Sequence, residues 1–539
     1  MNHSIDALYH SAELVKSWSG AILPNGKSLA EALTVQGISW WDVAAPNLAV
    51  YYLPPYLSAE NQVLDFKRRV SPYLAWVRQI ALSIRRSQRY SVGCDRWPDK
   101  PACLFLGFSP YIYRDVLQSV SEQIAGSQMF STVSLCDNPR HALKHEQSQW
   151  DCVWQHWNAA VALGTRTLRE LFQKALAELR AMHAMPEVIR DADQSLWLKT
   201  RSLFNWLFLV YFPALLPQAA VAEHILQQHR PALIVSGDVD DARNRLYCLI
   251  ARKLGIPSLE IQFGMYGSEG VEWQFFVADH LAVWGEQAHD VMLSQHVSPA
   301  RLTVTGSPRH DQIVRRAGAS QSETRARLGV PADKVMVLFA CPYSGFVDQE
   351  KFRAVKDAIF RTVATRHDVV LVVKHHPGEK PDQTERLARG HPNIIKADAH
   401  GDIRELILAC DAFITLGSTS TMDALLAGKP VIWPDLAGLV WWDDNFISSG
   451  ATLVVRSEQE LARSFDRLTD GSIAEVMATL KEDRQRFLER WAFRADGRAS
   501  ERIADLALAI IRQGRNRAAG DFTDSSHAGC RDSLVAEDR

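Results

Sequence analysis

Residues 368–377 read DVVLVVKHHP and residues 412–421 read AFITLGSTST. Each is a run of β-branched and apolar residues without polar alternation, ending abruptly in charged groups or hydroxyls. Strands buried on both faces read this way, which predicts a parallel sheet covered by helices. Working outward, KVMVLFAC (334–341), NIIKAD (393–398), PVIWPD (430–435) and TLVVRS (452–457) complete one series. An earlier series runs ACLFLGF (102–108), STVSLCD (131–137), PALIVSGD (231–238), SLEIQFG (258–264), HLAVWGE (280–286) and RLTVTGS (301–307). Helical patterning lies between the runs, so two doubly wound α/β domains in tandem are expected. Their expected limits are 101–312 and 334–483, with a polar connector over about 309–333 in which a hinge should lie. Residues 1–100 are expected to be a helical, aromatic-rich extension packed on the first domain. Residues 484–515 read as a C-terminal helix and 516–539 as a disordered polar tail.

Composition excludes several classes. The 60 Lys+Arg and 62 Asp+Glu of the 539 residues nearly cancel, so no basic field gathers nucleic acid. The first residues carry no basic segment leading into an apolar run, which points to a cytoplasmic protein. The 8 cysteines contain no CxxC pair, so neither a disulfide framework nor a zinc knuckle is expected. One stretch, SLFNWLFLVYFPALLPQAAVA (202–222), has no formal charge over about a bilayer's length. Pro213 and Pro217 are expected to interrupt it in its second half, which favours a buried helix over a span and leaves a membrane-facing apolar patch as the alternative.

Tandem sheets of this kind bind ligands between the carboxyl ends of their strands. In the second domain one strand runs into Lys374, His375 and His376, a cation and two imidazoles suited to phosphate binding or acid catalysis, or else a solvated strand end. Another ends at Gly417, where Ser418, Thr419 and Ser420 open a helix near Thr421; the hydroxyls could cap it, or those of Ser418, Thr419, Ser420 and Thr421 could receive a donor's phosphate. Asp423, in the first turn, suits a ribose diol or the helix dipole. In the first domain Asp238 is the expected general base or nucleophile, with Glu269 of the loop after the next strand as the alternative. Asp240 and Asp241 read as helix-start residues. Arg309 suits a phosphate contact or a structural ion pair.

Taken together, the K-x-H-P pattern at Lys374–Pro377, the hydroxyl cluster at Ser418–Thr421, the string DIRELILACDAFITLGSTS and VWGEQ…VTGSPRHD resemble a GT-B glycosyltransferase of bacterial surface polysaccharide synthesis. The resemblance is to the group of CMP-sugar (Kdo and sialyl) transferases and CDP-glycerol glycerophosphotransferases. It implies the GT-B fold, two Rossmann-like domains facing a cleft. It also implies a metal-independent transferase with no cofactor, moving a sugar from a nucleotide donor, most simply a CMP-linked one, to a surface glycan or lipid-linked acceptor. His376, Ser418, Thr419 and Ser420 would then hold the donor phosphate. Gln262-Phe263-Gly264 stands where the CDP-glycerol enzymes have Q-H-G, which shifts weight from a histidine base to Asp238. A UDP-N-acetylglucosamine 2-epimerase-like enzyme and a CDP-glycerol glycerophosphotransferase are the alternatives. The same resemblance leaves open a peripheral association with the inner face of the cytoplasmic membrane.

Overall fold

The computed structural model describes residues 5–57, 97–138, 150–265, 271–316, 321–341, 349–376, 390–436 and 445–528. Every apolar run of the first series becomes a strand: β1 (Ala102–Leu106), β2 (Ser131–Cys136), then, after β3 (Trp150–Cys152), β4 (Leu233–Ser236), β5 (Ser258–Ile261), β6 (His280–Val283) and β7 (Leu302–Val304). Within this sheet only β3 was not legible, because the charged Asp151 at its centre breaks the apolar run. The sheet is parallel throughout, in the order β7-β6-β5-β4-β1-β2-β3. The second series gives β8 (Val335–Ala340), β9 (Val369–Lys374), β10 (Ile394–Lys396), β11 (Ala412–Thr415), β12 (Val431–Pro434) and β13 (Leu453–Val455). Their order is β10-β9-β8-β11-β12-β13, again all parallel.

In both sheets the winding reverses at the centre, which opens a crevice between the ends of β1 and β4 and another between those of β8 and β11. The chain therefore has the expected α/β architecture, two Rossmann-like domains of GT-B type. Gly264, just past β5, lies so near the second domain that a Cβ added there would sit 3.7 Å from Thr419 Oγ1. The carboxyl ends of the two sheets thus face one another.

Packing redraws the edges of these lobes. Trp18, Trp40, Trp41 and Leu48 belong to the same apolar core as β1, β4 and β5, so residues 5–57 complete the first lobe, as the packing expectation had it. Trp40 lies edge-on to Phe212, 5.8 Å between ring centroids. The helix carrying Phe212, Trp197–His229, is long and apolar enough to cross a membrane, yet 61% of its most apolar stretch is buried in the protein. Contrary to expectation, the two prolines do not interrupt it. A wide turn over Leu207–Tyr211, in which Phe212 N–H reaches back to Leu207 O, precedes Pro213 and makes room for its ring.

The expected single C-terminal helix is two. Lys481–Trp491 packs Phe487 and Trp491 into the second core, and Ala499–Ala528 returns to bury Ile503, Ala507, Ile510 and Ile511 in the first. The tail expected to be disordered from 516 is helical through Ala528, since RQGRNRAA is rich in helix-forming Arg, Gln and Ala. The expected hinge region begins instead with a firmly held helix, Pro308–Arg316. Its Asp311 accepts from Ala499 N (2.9 Å), Ser500 N (2.8 Å) and Ser500 Oγ (2.8 Å), so it caps the returning helix.

Candidate functional site

β4 ends at Ser236, and the chain turns through Gly237 to Asp238 at the first crevice. The fit at Gly237 is tight: an added Cβ would lie 3.1 Å from the Ile112 side chain and 3.3 Å from that of Leu117. Asp238 Oδ1 accepts from the N–H groups of Asp240 (3.3 Å) and Asp241 (3.2 Å), which shapes the turn. Burial, then the neighbouring Asp241 and Asp240, raise its carboxyl to about 8, against a smaller pull from Arg243. A carboxyl that keeps its proton this long, and is still partly exposed, is suited to proton exchange with a ligand. Asp241 caps the helix Ala242–Lys253, as expected, and is gripped by Arg243 at 2.8 to 3.1 Å. Arg243 also pairs with Asp137 at the end of β2 and lies 4.8 Å over the Phe108 ring, so it bridges the ends of β2 and β4 across β1. Glu269, the alternative base, lies outside the described residues.

The Q-F-G segment is structural. The buried Gln262 accepts from Trp284 N (2.7 Å), donates to Gly264 O (2.8 Å), and its own carbonyl receives the Trp284 indole N–H (2.8 Å). Phe263 packs against Trp273, 5.3 Å between centroids.

On the second lobe, Gly417 takes φ +101°, a turn that favours glycine, and Thr419 precedes the helix Ser420–Leu426. Ser418 Oγ and Ser420 Oγ are 2.7 Å apart, and Ser420 N donates to Ser418 Oγ. Ser418 and Thr419 are partly exposed and Ser420 is buried. Thr421 departs from expectation: it is fully buried with its hydroxyl on Thr415 Oγ1 (3.4 Å), because its side of the helix faces the end of β11. Lys374 is likewise turned away, its Nζ donating to Ala399 O (2.7 Å) and Asp398 O (3.3 Å). Burial lowers its pKa, with the nearby Asp398 opposing and Arg114 of the first lobe assisting. His375 is buried, and His376 is exposed where the strand leaves the sheet.

For Arg309 the geometry selects the ion pair over a phosphate contact, and its partner is Asp423, for which a ribose diol or the helix dipole was expected. Arg309 Nε donates to Asp423 Oδ2 (2.8 Å) and its Nη1 to Asp115 Oδ2 (3.1 Å). Asp423 is fully buried, so it cannot meet a ribose. Asp115 also receives Arg404 (2.8 Å), which bonds Asp402 (2.8 Å) in turn. Asp115, Arg404 and Arg114 were missed as site residues. Arg404 lay inside DIRELILACD, and RD at 114–115 follows a strand end, but ion pairing between residues so far apart leaves no sequence signal.

With the geometry in hand, likeness to known proteins can be placed on it. A family described as CDP-Glycerol:Poly(glycerophosphate) glycerophosphotransferase matches residues 277–509, the second lobe with its flanks and less than half the chain. Lipid-A-disaccharide synthase of Pseudomonas aeruginosa is 30% identical over 115 residues, 21% of this chain and 30% of that protein, so the chain spans under a third of the length of that curated relative. Among solved structures, UDP-GlcNAc 2-epimerase from Neisseria meningitidis, bound to UDP-GlcNAc, superposes with TM-score 0.50 at 12% identity over 76% of this chain and 99% of that one. The wall teichoic acid polymerase TagF gives TM-score 0.48 at 15% identity over 83% and 98%. The epimerase likeness supports the two-lobed fold.

Proposed function

We propose that the chain is a glycosyltransferase-type enzyme that takes an activated group from a nucleotide-linked donor and delivers it to a cell-surface glycan or its lipid-linked precursor. The observation that carries this reading is Asp238, a carboxyl whose pKa burial raises to about 8, at the reversal point of a sheet whose carboxyl end faces the second lobe, where Gly264 approaches Thr419. The match of the second lobe to glycerophosphotransferases supports it.

In this reading Asp238, once ionised, takes the proton of the acceptor hydroxyl as its oxygen attacks the donor. Hydroxyls of Ser418 and Thr419, with His376, receive the charge that builds on the leaving phosphate. We infer a cytidine-linked donor. From a CDP-glycerol-like donor the acceptor oxygen would attack phosphorus and break the pyrophosphate bond. From a CMP-sugar it would attack the anomeric carbon and break the bond to the phosphate oxygen. CMP leaves in both cases. The reaction belongs in the cytoplasm, at the inner face of the membrane where a lipid-linked acceptor is anchored. The six described cysteines form no disulfide, which suits a reducing compartment.

A melting screen across CMP, CDP, UDP, GDP and their sugars tests the reading, since a ligand of the folded state raises the melting temperature. Cytidine nucleotides are expected to raise it most, and no response to any nucleotide would end the proposal. Incubation with UDP-N-acetylglucosamine, followed by NMR of the sugar ring, reports the epimerase alternative.

A further inference from the structure

Tyr111, Arg114 and Asp115 share one face of the helical segment that follows β1, at i, i+3 and i+4. A wide turn over Tyr113–Leu117 presents them to the second lobe. Tyr111 OH is 2.5 Å from His400 Nδ1, with the rings stacked at 6.2 Å. His400 rides on the very loop whose carbonyls hold Lys374. Arg114 lies 5.7 Å over the Tyr111 ring, its Nε bonded to Asp115 Oδ1 at 2.8 Å and a third of its side chain exposed.

The charges in this seam do not balance. Among the described residues, Arg114, Arg309, Arg316, Arg404 and Lys374 meet Asp115, Asp398, Asp402 and Asp423, with Arg316 bonded to Asp402 and Asp398 beside Lys374. One positive charge is left over. Asp115 is shared by three guanidinium groups, and of the three Arg114 is the most exposed. It also stands near enough to Lys374, from the opposite lobe, for the two cations to repel. A surplus of like charge at a half-buried seam is unfavourable until an anion offsets it.

We propose that Arg114 is a ligand-binding residue of the first lobe, closing over a phosphate or pyrophosphate group whose second-lobe partner is the exposed His376. The proposal rests on the transferase reading for the identity of that anion, the donor's phosphates. A planar guanidinium grips two phosphate oxygens at once. The same contact would draw the lobes together around the donor.

Calorimetric titration of the full chain with CDP, inorganic pyrophosphate and uncharged cytidine tests it. Arg114→Gln is expected to weaken CDP and pyrophosphate at least tenfold and leave cytidine unchanged. Arg114→Lys should keep part of the affinity, and Arg316→Gln, on the rim, should bind as the wild type does. If Arg114→Gln binds CDP within twofold of wild type, or loses cytidine equally, the assignment is wrong while the transferase reading stands. If the wild type binds pyrophosphate but no nucleotide, and Arg114→Gln abolishes that binding, the anion site stands and the transferase reading falls. No binding of any anion by the wild type overturns both. Should Arg114→Gln fail to melt cooperatively, the graded loss in Arg114→Lys carries the test.

Discussion

Asp238 ties stability and activity to pH through one proton. Its carboxyl is raised from 3.8 to about 8, so the unfolded chain releases the proton far earlier than the folded one does. Its contribution to stability should therefore fall as pH rises from about 4 to about 8 and level off above that, while His310 and His229, lowered to about 3 and about 4 chiefly by burial, contribute with the opposite sign up to about 6.5. Glu260, raised to about 8 chiefly by burial, and Asp240 and Glu272, raised to about 7, act with the same sign as Asp238. Melting temperature against pH should be flatter in Asp238→Asn. A base must be ionised, so turnover should climb with pH toward a plateau above about 8, and the same variant should lose about 10²–10⁴ in kcat with donor affinity kept. Arg309 gives a second expectation. Arg309→Gln strips the buried Asp423 of its partner and should cost about 3–5 kcal/mol in urea melts, as removing half of a buried pair does. A joint Arg309→Met, Asp423→Leu replacement should recover much of that loss.

Among the elements, strands were the most legible, because a chain buried on both faces must be apolar at every position and its sequence shows it. The hydroxyl helix was only half legible. Ser418–Ser420 announced a helix start, but which hydroxyls face the cleft depends on rotation about the helix axis, and that put Thr421 inside. The far end of Ser420–Leu426 is held by Arg484, whose guanidinium reaches Leu425 O and, at 3.0 Å, Lys429 O. Arg484→Met should remove these bonds while keeping most of the packing, lowering the melting temperature and weakening nucleotide binding through a displaced hydroxyl tip. Gly285 permits another close approach: an added Cβ would lie 2.5 Å from Arg490 O, which is backbone and cannot swing aside. Gly285→Ala should cost about 1–3 kcal/mol, measured by denaturant melts.

At the scale of the molecule, the two sheets are joined by a chain that leaves the second lobe and returns to the first. The helix Ala499–Ala528 supplies Ile503, Ala507, Ile510 and Ile511 to the first core, so deleting residues 499–539 should expose that core and abolish a cooperative melt, followed by circular dichroism. The sequence alone determined the two parallel sheets, their strands and the strand ends at which chemistry gathers, because those follow from local hydrophobic pattern. Only the tertiary structure decided that Arg309 and Asp423 neutralise one another, that Lys374 serves a loop, and that Arg114 and Asp115 meet the second lobe. Those outcomes turn on pairing across 24 to 289 residues of chain, and an arginine reads the same whether its partner is a carboxylate or a phosphate.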